Sequence, residues 1–260
     1  MNKARKQLLL MISFTTLLII LISGCTMDHG LEPIRSGVQG TIKYIGKWPQ
    51  NTAEVRIVAA TQFPPSSIND LIIGDILPIG GDSTLYTFYL EPGDYYLGLV
   101  WRERNAAWGI QSIFGIYTEP GNSFAPALVH IPDSRTIVTG KDIIADFAYA
   151  RRATNSSIEG TIRFIGQWPP GSQNCMVIAT TKFPPGSLLD LAFSGLQPAN
   201  VDSLNYFIPA SPGLYRAVGV VIKKVDQPWA LESLVGLLLK DILVPTDSSH
   251  VTNVNFVVYF

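Results

Sequence analysis

Residues 40–49 read Gly-Thr-Ile-Lys-Tyr-Ile-Gly-Lys-Trp-Pro, and residues 160–169, at an offset of 120, read Gly-Thr-Ile-Arg-Phe-Ile-Gly-Gln-Trp-Pro. The offset holds through Phe63-Pro64-Pro65 and Phe183-Pro184-Pro185, Asp82 and Asp202, Pro92-Gly93 and Pro212-Gly213, and Tyr95 and Tyr215. One added residue then aligns Trp108 with Trp229 and Gly115 with Gly236. Near the ends, Asp146-Phe147 aligns with Asn255-Phe256 at an offset of 109, which places the residues missing from the second copy in the loop 118–126. A duplication of this length constrains the chain more than any other feature, because both copies must be able to fold the same way. The copies span 37–150 and 157–260, joined by a polar connector 151–156. Each is close to the ~100 residues of a β-sandwich.

Within each copy the apolar residues recur every second position. Ile42 and Tyr44 alternate with Thr41 and Lys43, and Ile162 and Phe164 with Thr161 and Arg163. Tyr86, Phe88 and Leu90 continue the pattern to the turn signal Pro92-Gly93, after which Tyr95 and Leu97 resume it. A period of two is that of strands with one packed face. The expected fold is all-β: two tandem antiparallel β-sandwich domains of the immunoglobulin-like or transthyretin-like kind, each with a short helical insertion. The insertions are expected over residues 67–73 and 187–193, where Ser67 and Ser187 follow Pro-Pro as N-caps. An opening Gly-Thr-Ile strand, a later apolar strand and Pro-Gly-x-Tyr entering the next resembles the carboxypeptidase-regulatory-like and transthyretin-like domains of secreted bacterial proteins. That resemblance implies an accessory, scaffolding or ligand-contacting module.

The N-terminus carries an address. Lys3, Arg5 and Lys6 precede an apolar run from Leu8 to Ile22, and small residues Ser23 and Gly24 lead into Cys25. This is the layout of a removable secretory signal over residues 1–24, and the run is short for a membrane span. Leu21-Ile22-Ser23-Gly24-Cys25 resembles the lipobox of bacterial lipoprotein precursors. The resemblance implies cleavage before Cys25, a covalent lipid on its sulfur and attachment to a membrane of the cell envelope. No other cofactor is expected. Thr26, not aspartate, follows Cys25, which in such lipoproteins favours the outer membrane where the host has one. Residues 25–36 form the tether; its 11 residues after the cysteine reach at most ~36–40 Å.

The formal net charge of −1 becomes −4 once the three cations of the signal are subtracted, so nucleic acid is not an expected partner. With Cys25 lipidated, Cys175 has no intramolecular partner, and it falls on the apolar side of a strand opposite Val55 in the repeat. A small buried hydrophobe is the expectation for it.

Catalytic equipment is sparse. Among His29, His130 and His250 none stands in a zinc-ligand spacing, and no nucleophile elbow or phosphate-cradling glycine motif occurs. His130 and His250 are 120 apart but are not repeat equivalents, because the offset has drifted by then. Asp82, Asp142, Asp146 and Asp202 are expected to cap turns, not to hold a metal. The candidate ligand-binding residues are Trp101, Trp108 and Tyr117, aromatics with charged neighbours Arg102, Glu103 and Arg104. Such a rim suits a partner protein's anchor or a sugar ring, whereas the plainer role for the same rings is to cover the end of a sandwich. The expected function is therefore a non-catalytic envelope lipoprotein that binds a protein partner or serves as a structural accessory. The alternative is a carbohydrate-binding lipoprotein of a glycan-uptake system, and a hydrolase comes third.

Overall fold

Nine strands build repeat 1: β1 (Gly37–Ile45), β2 (Thr52–Ala60), β3 (Ile72–Ile76), β4 (Ser83–Tyr89), β5 (Gly93–Glu103), β6 (Ile113–Ile116), β7 (Leu128–Ile131), β8 (Ile137–Val138) and β9 (Ile143–Asp146). Nine more build repeat 2: β10 (Ser157–Ile165), β11 (Ser172–Thr180), β12 (Leu191–Phe193), β13 (Gln197–Pro198), β14 (Ser203–Pro209), β15 (Gly213–Lys224), β16 (Leu234–Val244), β17 (His250–Val251) and β18 (Phe256–Tyr259). The computed structural model describes residues 35–227, 229–230 and 233–260. The signal 1–24, Cys25 and the tether up to residue 34 lie outside the described residues. No helix among the described residues is long and apolar enough to cross a membrane.

The expected all-β sandwich is what the chain forms. Repeat 2 has two sheets: β14-β10-β17 with β18 also on β10, and β12-β11-β15-β16 with β13 on β11. Pairing is antiparallel except that β10 takes β17 and β18 as parallel partners, as β1 takes β8 and β9. In repeat 1 one further pairing, Gly115 with Ala145, joins β6 to β9 and turns the two sheets into one curled sheet. The repeat-2 counterparts are Gly236 and Val258, and a methyl group placed on Gly236 would lie 2.3 Å from Val258 Cγ2. Ala145 is small enough for the backbones to meet; the larger Val258 holds β16 and β18 apart.

The structure corrects the late alignment of the copies. Ile42 pairs with Ile143 and Ile162 with Phe256, while Gly37 pairs with Ile137 and Ser157 with His250. Asp142 Oδ1 accepts from Thr41 N–H as Asn255 Oδ1 does from Thr161 N–H, both at 2.7 Å. All of these give an offset of 113, so Phe147 corresponds to Phe260 and not to Phe256. Each closes the same aromatic group, stacked on Tyr44 or Phe164 and tilted against Trp48 or Trp168. The drop from 121 to 113 is taken up in one place. β16 runs unbroken along β15, whereas the corresponding stretch of repeat 1 is split into β6 and β7 by the loop 118–126, pinched by the bridge between Thr118 and Pro126.

The helical insertions are shorter than expected: single 3-10 turns, Ile68–Asp70 and Leu188–Asp190. Ser67 and Ser187 are the N-caps, and each turn has a capping box completed by Asp70 or Asp190. The turn stops because the β-branched Ile72 and Ile73 are taken up by β2 as β3, and Leu191 to Phe193 by β11 as β12.

Each repeat has its own core. That of repeat 1 includes Val38, Ile42, Leu97, Leu99 and Phe114, and that of repeat 2 includes Ile158, Ile162, Val220, Tyr215 and Ile222. A third cluster gathers Phe63 of repeat 1 with Met176, Ile178, Leu188, Leu191, Val221 and Trp229 of repeat 2. Burying a phenylalanine is worth roughly 1.5–3 kcal/mol, so this seam is a substantial tie between the repeats.

Candidate functional site

The three candidate aromatics do not form one surface. Trp101 belongs to the repeat-1 core, is 5% exposed, and its indole N–H donates to Thr52 Oγ1 at 2.9 Å. Trp108 is half-buried beneath Arg102, whose Cζ lies 5.5 Å from the ring centroid. Arg102 is in turn held by Glu54, a buried carboxylate that also binds Arg56 Nε at 2.8 Å. Burial works to raise the Glu54 carboxyl, but hydrogen bonds and charge from the two guanidinium groups outweigh it and hold the group below its ordinary range. Tyr117 packs at the other end of the sheet, with its N–H on Leu97 O and the Lys141 ammonium 5.4 Å from its ring. Leu97 and Arg102 are five residues apart on β5, roughly 16 Å along the strand.

The histidines have polar partners in an arrangement that does not suit a nucleophile. Ser157 Oγ donates to Glu159 Oε1 at 2.5 Å and lies 2.7 Å from His250 Nδ1. In a hydrolytic triad the imidazole stands between hydroxyl and carboxylate. Here a single ring nitrogen, His250 Nδ1, faces both the hydroxyl and, at 3.4 Å, Glu159 Oε1, and Ser157 is 0% exposed. His130 Nδ1 meets Asp94 Oδ1 at 2.7 Å on an exposed edge. Cys175 is buried, and desolvation pushes its thiol up to about 12, far from the thiolate that reactivity requires. Asp142 and Asp146 cap the backbone at Thr41 and Ala148. No group of three or more metal-ligating side chains occurs among the described residues.

An apolar concavity lies where the repeats meet, and sequence reasoning missed it. It is an open crevice with about 60 Å³ of enclosed space, whose walls include Phe63, Ile113 and Ile116 from repeat 1 and Leu191, Phe193 and Tyr215 from repeat 2. Gln111, Arg151 and Ser211 supply its polar edge. The Ser211 hydroxyl is shielded from solvent and has no hydrogen-bond partner among the described residues, while the Tyr215 hydroxyl donates to Ser211 O at 3.0 Å. The crevice opens, through shared residues Ile110, Gln111 and Pro209, into a more open and roomier groove of about 450 Å³. Ser66, Thr154, Asn155 and His250 line that groove, beside the exposed ring of Phe207. An apolar concavity with a few polar groups at its edge is the usual lining of a binding site, and this one is small beside the ~300–1,000 Å³ of a small-molecule pocket. The only sequence signal for it was Phe-Pro-Pro, repeated in both copies.

The loop 118–126, present only in repeat 1, is spent on the same seam. Ser123 O accepts from Leu188 N–H at 3.1 Å, and Ser123 Oγ donates to Gly186 O at 3.1 Å. Phe124 lines a small pocket there together with Met176, Leu188 and Trp229.

No protein-family model and no curated protein sequence matches this chain. Among solved structures, a leucine-rich repeat protein from Bacteroides thetaiotaomicron aligns at 8% identity over 87% of this chain and 26% of its own, with a TM-score of 0.36. The TIE protein of Bacillus anthracis aligns at 8% identity over 86% and 35%, with a TM-score of 0.20. A fimbrial anchor protein from Porphyromonas gingivalis aligns at 9% identity over 78% and 82%, with a TM-score of 0.23. This chain thus spans about a quarter of the first of these proteins. With all three TM-scores below one half, the likeness carries no argument about what this chain does.

Proposed function

We propose that this chain is a non-catalytic binding lipoprotein of the bacterial cell envelope, held at a membrane by lipid on Cys25, whose inter-repeat crevice takes an apolar anchor from a partner protein. The observation that carries this reading is the apolar lining of the crevice, which encloses about 60 Å³ and is walled by Phe63, Ile113, Ile116, Leu191, Phe193 and Tyr215. An apolar pit edged by an arginine and an amide suits the receptor half of a protein hot spot, where one large side chain supplies most of the binding energy.

Leu189 lines the crevice and is only half-buried, so Leu189→Lys puts a charge there with little cost to the fold. Crosslinking in intact cells followed by pull-down should recover a protein partner with the native chain and lose it with Leu189→Lys. Equal recovery from both would sink the reading. In the same cells Cys25→Ser should move the chain from the membrane to the soluble fraction; a variant that stays with the membrane argues against the anchor.

A glycan ligand is the second reading, supported by the hydroxyl and amide groups of Ser66, Thr154 and Asn155 beside the exposed Phe207 ring. It predicts retention on a polysaccharide column that Asn155→Ala weakens and Leu189→Lys leaves intact.

A further inference from the structure

The two Phe-Pro-Pro insertions share a sequence and have opposite exposure. In repeat 1 the leading face, Phe63-Pro64-Pro65, is buried, whereas in repeat 2 Phe183 is 44% exposed and Pro184 is exposed. On the trailing face the pattern reverses. Leu188 and Leu191 are buried in repeat 2, while in repeat 1 Ile68 and Leu71 are half-buried and Ile72 and Ile73 are 42% and 43% exposed.

One contact explains both. The leading face of the first insertion packs on the trailing face of the second, with the Phe63 ring edge-on to Phe193 at 5.6 Å. A contact between two different faces of equivalent units is heterologous, and it leaves one face of each kind unused at the ends. The unused leading face is Phe183-Pro184. The unused trailing face is Leu71-Ile72-Ile73, the repeat equivalents of Leu191, Ala192 and Phe193. Both are apolar, and the second continues into the exposed Ile76 and Ile79.

We propose that these two faces join between molecules: the Phe183 face of one chain docks on the β3 face of a second copy, head to tail, giving open-ended chains. The occupant is argued from the molecule's own internal contact, of which this is the next step. The contact between copies is weaker than the internal one for two visible reasons. Repeat 2 has no counterpart of the loop 118–126 to supply the Ser123 hydrogen bonds and Phe124. On the receiving face, Met176 is replaced by Arg56, which is tied to Glu54.

The test uses the full chain in cells that produce it. A double variant, Phe183→Cys with Ile73→Cys, is treated with a short bismaleimide, both sites being exposed and Cys175 fully buried. The expected result is a ladder of dimer, trimer and higher species. Each single variant alone should give no crosslink, and the two single variants produced together should stop at a dimer. Adding Ile72→Asp to the double variant should abolish the ladder. Intrachain crosslinking of Ser123→Cys with Gly186→Cys, exposed positions that meet across the internal seam, checks that the reagent reacts at such a contact. Absence of the ladder while that internal pair reacts overturns the proposal. So does a dimer formed by Phe183→Cys alone, which would mean a symmetric contact, or a ladder that survives Ile72→Asp.

Discussion

A carboxylate only 6% exposed has to be neutralised where it stands, and Glu54 is neutralised by Arg56 and Arg102 on the outer face of β2 and β5. Repeat 2 drops the arrangement: the corresponding residues are Asn174, Met176 and Lys223, and Met176 lies in the seam between repeats. The ion pair therefore marks the repeat face that no other repeat covers. Because the folded carboxyl is held below its ordinary range, its contribution is full above the unfolded value, ~4.3, and is lost as pH falls through the folded one. Glu54→Gln should cost about 2–3 kcal/mol at neutral pH, less than the ~3–5 kcal/mol of a fully buried pair, since both arginines keep contact with water. Urea unfolding of the native chain and the variant should show that gap at neutral pH and its narrowing as pH falls through the folded value and the carboxyl takes up a proton. A gap that persists at low pH would mean the residue acts through packing and not through charge. Trp101 teaches the complementary lesson at this scale. Charged neighbours suggest a surface ring, but alternation along β5 turns Trp101 to the core while Arg102 faces out to Glu54.

Elements are legible where their causes are local. The period of two places β1, β2, β4 and β5 and their counterparts, and a serine after Pro-Pro is enough to find both N-caps. Beyond the caps the cause is no longer local: Ile72 and Ile73 leave the helical turn because β2 offers them ladder partners. The late register fails for a related reason. Asp146-Phe147 and Asn255-Phe256 match letter by letter, yet the parallel ladders on β1 and β10 align Phe147 with Phe260, and letters carry no record of which strand is beside which. The binding crevice is the least legible, since its walls come from elements of both repeats that the sequence gives no reason to bring together. The loop 118–126 is what the two copies do not share. Repeat 2 closes its sandwich with an unbroken β16, so repeat 1 does not need the loop for its own fold. Phe124→Ala should leave the repeat-1 strands intact and cost about 1–2 kcal/mol, the burial of part of a phenylalanine. Hydrogen exchange should localise the loss to Leu188–Asp190 and β12, and a loss spread instead over β1 to β9 would refute a role confined to the seam.

At the scale of the whole molecule, the seam decides whether two sandwiches behave as one body. Residues 35–260 group as a single compact unit although each repeat has a core of its own, and Phe63 is the repeat-1 member of the cluster that joins them. Phe183 is its equivalent by sequence, with the same two prolines after it, and is 44% exposed. Composition and motif are therefore matched, and only packing differs. Phe63→Ala should cost about 3 kcal/mol, at the low end for a buried phenylalanine because the crevice beside it lets the seam relax. Phe183→Ala should fall within about 0.5 kcal/mol of the native chain under dilute conditions, as for an exposed position. Calorimetry separates the two further. The native chain and Phe183→Ala should each unfold in one transition, because neither repeat can open without exposing the shared cluster. Phe63→Ala should split that transition, the repeats then melting at different temperatures. Two transitions in the native chain would show that the repeats fold independently and the seam is only a contact. A single, merely lowered transition in Phe63→Ala would mean that the Ser123 and Tyr149 bonds to the second insertion suffice to couple them.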